Sequence, residues 1–140
     1  MRRNLSGITE VVVSVESTKI TKGLALEINV PGFQLRSDVS EKLGGTNTAP
    51  NPHDYLETAL AACTAITVQM YANRKGIPLV SSDVKIKITA EGAENRIARE
   101  IRFEGELTDE QRASLLAIAD KCPIHKFLSK GALIETSLVK

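Results

Sequence analysis

The sequence predicts an α+β domain built from antiparallel strands and two main helices, in the order βββ-α-ββ-α-(α)-β. Three observations carry that expectation. Period-two alternation of apolar and polar residues recurs in the first third of the chain and in its middle, as half-buried strands require. One long alanine-rich segment, from Asn51 to about Gly76, repeats its apolar residues every three or four positions, the period of a helix. Strands and helices do not alternate singly, so the βαβ units of a parallel sheet are not expected. At 140 residues the chain is sized for one domain.

The elements follow in order. Ile8 to Val15 is rich in β-branched residues and reads as a strand. Leu24, Leu26, Ile28 and Val30 alternate with Ala25, Glu27 and Asn29 in a second strand; Pro31-Gly32 has the order of a type II turn. Phe33 to Leu35 then starts a return strand, so the first forty residues read as an antiparallel meander. Residues 40–50 have loop composition. Asn51 can cap a helix, Pro52 suits its first position, and Asp54 completes an arrangement like a capping box. Leu56, Leu60, Cys63, Thr67, Met70 and Tyr71 mark its stripe, and the alanines between them make its middle apolar nearly all round. Such a helix belongs in a core or an interface. Arg74, Lys75, Gly76 and Pro78 end it.

Val84, Ile86 and Ile88 alternate with Lys85, Lys87 and Thr89, giving a strand with one wet face. Residues 91–95 turn the chain into a second strand over Ile97 to Leu107. Thr108 then caps a helix with Gln111 at the capping-box position. That helix should stop near Cys122, because the residue before a proline disfavours the α region. Pro123 can start a fresh turn through Leu128, Gly131 ends it, and Ala132 to Leu138 reads as a last strand.

Composition narrows the function. Aromatics make up 4% of residues and there is no Trp, which argues against a stacking platform for single-stranded nucleic acid and makes the core aliphatic. A net charge of +1 without runs of like charge argues against polyanions and anionic membranes as partners. Ser6-Gly7 and Thr9-Glu10 stand where a signal peptide needs an apolar stretch, and no segment is apolar enough to span a bilayer. Two cysteines are too few for a disulfide-stapled secreted scaffold, so a reducing cytosol is the expected compartment.

Function must then lie in a local site, and the cysteines are its candidates. Cys63 sits mid-helix on the inward stripe, either as a small buried hydrophobe or as a thiol activated by a nearby cation or donor. Cys122 falls at the cap of a new helical turn, where backbone N–H groups and the helix dipole favour a thiolate. His125 stands three residues on, with Lys121 and Lys126 alongside. A two-Cys, two-His metal site from Cys63, Cys122, His53 and His125 is an alternative, although His53 and Cys63 lie about 15 Å apart along one helix. Arg99 shares a strand face with Ile97, Ile101 and Phe103, so it either points inward toward an anionic partner or snorkels as a structural arginine. For Arg36 exposure is the default, and for Asp54 capping.

The stretch Asn51-Pro-His-Asp-Tyr-Leu-Glu-Thr-Ala-Leu-Ala-Ala-Cys63-Thr-Ala-Ile-Thr-Val-Gln-Met-Tyr-Ala72 resembles the central helix of the OsmC/Ohr family, which carries its first redox cysteine. Gly105 to Arg112, followed by Ala119-Asp-Lys-Cys-Pro-Ile-His-Lys126, resembles the second family segment with its Cys-Pro-Ile/Val-His signature. The likeness runs from about Gly44 to the C-terminus, in a branch that diverges from Ohr proper.

The resemblance implies an OsmC-like fold: antiparallel sheets wrapped around two central helices in an intertwined homodimer. It implies a cysteine-based hydroperoxide reductase. Cys63 would attack the peroxide and become a sulfenic acid, and Cys122 would resolve it as an intramolecular disulfide. An external thiol or a lipoyl-type reductant would reset the pair, and no metal or organic cofactor is expected. Ohr members hold an Arg over the thiol with a Glu ten residues before the first cysteine. Here that position is His53, with Asp54 beside it, and Arg36 is the expected cation. The alternative is a redox-sensing or small-ligand-binding dimer on the same fold without turnover.

Overall fold

The computed structural model describes residues 2–3, 9–10, 14–19 and 22–139, the first two pairs by backbone alone. The chain divides into two compact units, residues 1–56 and residues 57–140.

In the first unit, β1 (Arg2–Arg3) pairs with β2 (Thr9–Glu10). The expected strand from Ile8 to Val15 otherwise lies largely outside the described residues. An antiparallel meander follows, of β3 (Glu16–Lys19), β4 (Leu26–Val30) and β5 (Phe33–Ser37). The reversal at Pro31-Gly32 leaves Gly32 with a positive φ, the left-handed conformation that the third position of a type II turn requires.

The loop from residue 38 to residue 50 is folded around one carboxylate. Asp38 is 2% exposed. Its Oδ1 accepts from the Val39 N–H at 2.8 Å, and its Oδ2 from the Thr46 and Thr48 hydroxyls at 2.6 and 2.8 Å and from their N–H groups at 3.2 Å. These donors hold the carboxyl well below its ordinary range. The chain passes so close at Gly45 that a Cβ there would meet the Val39 carbonyl oxygen at 2.1 Å. A single 3₁₀ turn, Glu41–Leu43, interrupts the loop.

Helix α1 (Pro52–Lys75) opens as its sequence demands, with Asn51 and Asp54 exchanging side-chain-to-backbone bonds at 2.9 Å in both directions. Gly76, in the left-handed region, ends it. In the second unit, β6 (Ser81–Ala90) and β7 (Arg96–Glu104) form an antiparallel hairpin. Exposed and half-buried residues alternate along β6, with Lys85 and Lys87 in solvent and Val84, Ile86 and Ile88 turned inward. Helix α2 (Asp109–Ala119) carries the expected capping box: Thr108 accepts from the Gln111 N–H at 3.1 Å, and Gln111 accepts from the Thr108 N–H at 2.9 Å. Helix α3 (Pro123–Lys130) follows after a break of three residues.

The core of this unit joins Val68 and Ala72 of α1 to Leu115 and Ala119 of α2, with Leu79 beneath and Ile101 and Phe103 of β7 packed against them. Leu115 and Val68 are wholly buried, each contributing about 1.5–3 kcal/mol of apolar burial. The hairpin therefore covers one side of the helix pair.

The last strand expected over Ala132 to Leu138 is absent: residues 131–139 have no regular structure. A strand exists only through a ladder partner, and among the described residues no strand pairs with this segment. Leu133, Ile134 and Leu138 are 99%, 87% and 94% exposed as a result.

Candidate active site

The second unit brings Cys63 and Cys122 together. Leu60, Cys63 and Cys122 form a buried cluster that Ile86, Ile124 and Leu128 complete. Helix α1 places Cys63 in mid-helix, one turn after Leu60, where the i, i+3 spacing keeps both on the same face. Cys122 is the N-cap of α3, set there by Pro123 at the first helical position. Both are free thiols.

Burial decides the state of Cys122, which is fully buried. Its pKa is raised first by loss of solvent, then by a hydrogen bond with the Cys63 sulfur; a negative charge on Cys63 pushes in the same direction. The N–H groups of His125 and Ile124 act in the opposite sense, as expected at a helix start, and are outweighed. Cap position alone favours a thiolate at Cys122. Enclosure reverses that balance and keeps Cys122 a thiol beside Cys63. The Cys63 sulfur lies 3.9 Å from the Thr67 hydroxyl one turn on.

Arg99 points inward from β7, its side chain 13% exposed. Its Nη1 donates to the Thr64 hydroxyl at 3.1 Å, and its Nη2 to Asp120 Oδ1 at 2.8 Å. Thr64 is fully buried and donates its own proton to the Leu60 carbonyl at 2.7 Å. One guanidinium thus spans the residue after Cys63 and the residue two before Cys122. The Nδ1 of His125 lies 3.9 Å from the same Asp120 oxygen.

Arg36 and Asp54 belong to the first unit. Arg36 is exposed on β5, and its carbonyl accepts from the Tyr55 hydroxyl. The Asp54 carboxylate is engaged by the Asn51 N–H in the α1 cap. Among the described residues no group of three or more His, Cys, Asp or Glu side chains is gathered as metal ligands would be.

Sequence reasoning singled out both cysteines and chose Arg36 as the cation, weighed Arg99 without choosing it, and missed Thr64, Thr67 and Asp120 as site residues. Thr64 was masked by the apolar helix around it. The signal for Asp120 is the demand of an inward arginine for a carboxylate, which topology meets from the end of α2.

Among the described residues no helix is long and apolar enough to cross a membrane. No curated protein matches the sequence significantly. Solved structures do match in fold. An OsmC-like protein from Mycoplasma pneumoniae aligns with a TM-score of 0.68 at 16% identity, over 86% of this chain and 89% of its own. An organic hydroperoxide resistance protein from Elizabethkingia anophelis aligns at 0.61 and 16%, over 84% and 89%. One from Legionella pneumophila aligns at 0.57 and 22%, over 84% and 90%. The α+β architecture is theirs, and the profile of the OsmC-like proteins covers residues 45–137, both cysteine segments included, so this chain belongs to the OsmC-like family.

Proposed function

We propose that this protein is a thiol-dependent peroxidase that reduces organic hydroperoxides, and H2O2 with them, through Cys63 and Cys122. The observation that carries the reading is the packing of two buried thiols, brought from separate helices, into one cluster. The family supports it, as do the two hydroperoxide resistance proteins of like fold.

The chemistry runs in three balanced steps. The Cys63 thiolate attacks the distal peroxide oxygen; the O–O bond breaks, Cys63 is oxidised to a sulfenic acid, and the alkoxide leaves and takes a proton to become the alcohol. The Cys122 thiol then attacks the sulfenic sulfur, the S–S bond forms, and water carries off the hydroxyl and the Cys122 proton. An external dithiol finally reduces that disulfide by exchange and is itself oxidised. Cys122, held as a thiol in the resting pair, gives up its proton in the second step, and oxidation of Cys63 to the neutral sulfenic acid removes the charge that opposes this. Besides Arg36, the cation expected from the family, the second unit itself holds a cation one residue from Cys63, in Arg99 bonded to Thr64.

The working unit is a homodimer in a reducing cytosol, needing neither metal nor organic cofactor and contacting neither nucleic acid nor membrane. Support for a second copy comes from α1, where Ile66 and Met70 stand half exposed on a central helix, and from the uncovered apolar residues after Gly131.

The test is peroxide consumption by the reduced wild type, Cys63→Ser and Cys122→Ser, with cumene hydroperoxide and H2O2 and a dithiol reductant. Turnover by the wild type alone, with Cys122→Ser trapped as a sulfenic acid, supports the reading and both roles. Consumption no faster than by a free thiol overturns it in favour of a redox-sensing or ligand-binding dimer.

A further inference from the structure

Beside the thiol pair the second unit contains an open cavity of about 240 Å³ that the redox steps do not use. Leu60, Ile97 and Leu128 are the apolar part of its lining, and Arg99, His125, Asn95 and Ser129 the polar part. Leu60 and Leu128 also pack in the cysteine cluster, so the apolar part of the lining backs directly on the thiols. The volume falls below the roughly 300 Å³ at which sites for drug-sized ligands begin, so the occupant is small.

We infer that this cavity is a binding site for a small aliphatic carboxylate, its headgroup on Arg99 and its short chain along Leu60, Ile97 and Leu128. Arg99 is the anchor because it is charged and its side chain is largely buried, where a guanidinium bonds a carboxylate more strongly than in water. A guanidinium carries five N–H donors, and Thr64 and Asp120 engage its two terminal nitrogens. The group that a ligand must displace or share is Asp120, which is 67% exposed and can swing into solvent, while buried Thr64 keeps Arg99 in place. His125 adds a second polar group to the lining. Among the described residues the lining itself holds no acidic side chain, so the like charge that a carboxylate meets is Asp120, on Arg99 and 3.9 Å from the His125 ring.

The inference rests on the peroxidase reading only for the origin of the carboxylate, which is carried either by the hydroperoxide substrate or by the thiol reductant. The experiment is a titration of the reduced full chain with hexanoate and with neutral hexanol, followed by NMR of the His125 ring and of the α3 amides. Hexanoate should bind saturably and hexanol should not. Arg99→Met should weaken hexanoate by about tenfold or more, the loss expected for one charged hydrogen-bonding group. Asp120→Asn, a substitution at an exposed carboxylate that spares the core, should tighten it several-fold by removing the competitor. Equal binding of hexanol, or no change in Asp120→Asn, overturns the inference whether or not Arg99→Met folds.

Rates then separate the two sources. Hexanoate that slows oxidation of the dithiol protein by hydroperoxide supports the substrate as its source, and hexanoate that slows re-reduction of the disulfide supports the reductant. If turnover is intact and neither rate moves, the carboxylate site is not part of the reaction and the inference fails. If hexanoate binds in the stated pattern to a protein without turnover, the peroxidase reading fails and the carboxylate site stands.

Discussion

Arg99 donates to the hydroxyl of Thr64 at 3.1 Å, across the interface between β7 and α1, and Thr64 is the residue that follows Cys63. The hydroxyl cannot leave this bond cheaply: it is buried, and its proton is committed to the Leu60 carbonyl at 2.7 Å. Thr64→Val keeps the shape but removes the acceptor, leaving a largely buried guanidinium N–H unpaired. We expect a loss of about 1–3 kcal/mol, read as a lower urea midpoint at unchanged slope. Thr64→Ser keeps the hydroxyl and should recover most of that loss. A Val variant as stable as wild type would mean that Arg99 finds another acceptor.

Cys122 gives a pH dependence at the alkaline end. Its pKa is raised in the folded protein, by burial first and then by Cys63, from an ordinary value of 9.0. A raised pKa means that the folded state holds the proton longer than the unfolded one. The stabilisation is full below the ordinary value and is lost as pH rises through the folded one. Urea midpoints of the reduced protein should therefore fall between neutral pH and pH 10, and those of Cys122→Ala should fall less. Iodoacetamide at neutral pH should label Cys63 well before Cys122, with Cys122 modified only on unfolding.

Asp38 gives the opposite limb. Five donors hold its carboxylate, and its pKa is depressed below the ordinary 3.8, with the Thr46 hydroxyl the largest cause. A depressed pKa confers stability that is present above the ordinary value and lost as pH falls through the folded one. Asp38→Asn should lower the urea midpoint at pH 7, and the gap to wild type should close only below about pH 4. A gap that is constant down to pH 2 would show that shape rather than charge holds this loop.

Gly105 closes β7 at φ 142°, and a Cβ there would meet the carbonyl oxygen of Pro78 at 2.4 Å. Both the backbone angle and the contact oppose a side chain, so the cost cannot be relieved by a rotamer change. Gly105→Ala should lose about 1–3 kcal/mol of stability, measured by chemical denaturation.

What could be read from residue order alone divides along a physical line. Local signals were legible: the Asn51–Asp54 and Thr108–Gln111 caps and the Pro31-Gly32 turn depend on neighbours within a few positions, whereas the face of Arg99 left an inward and a snorkelling placement equally open. Non-local ones were not. The cap position of Cys122 shows the helix dipole but not the enclosure by α1 and β6 that outweighs it. Asp120 reads as an ordinary residue at a helix end until β7 brings Arg99 to it. Ala132 to Leu138 has the composition of a strand, yet composition cannot supply the ladder partner that this chain lacks among its described residues.

That missing partner leads to the last prediction. A segment with Leu133 and Ile134 almost wholly in solvent, and a central helix with Ile66 and Met70 half uncovered, leave apolar side chains in water that a partner surface would bury. If a second copy covers them, the protein should run as a dimer in size-exclusion chromatography with light scattering at micromolar concentration. Ile66→Glu places a charge on the open α1 face without disturbing the buried residues Cys63, Thr64 and Val68. It should shift the protein to monomer, because a buried unpaired carboxylate costs several kcal/mol in an interface. Leu133→Asp tests the C-terminal segment in the same way, and the two changes separate its contribution from that of the helix. A wild type that is monomeric at high concentration would refute the second copy as the cover for both surfaces, while the contact between Cys63 and Cys122, which lies within one chain, would be unaffected.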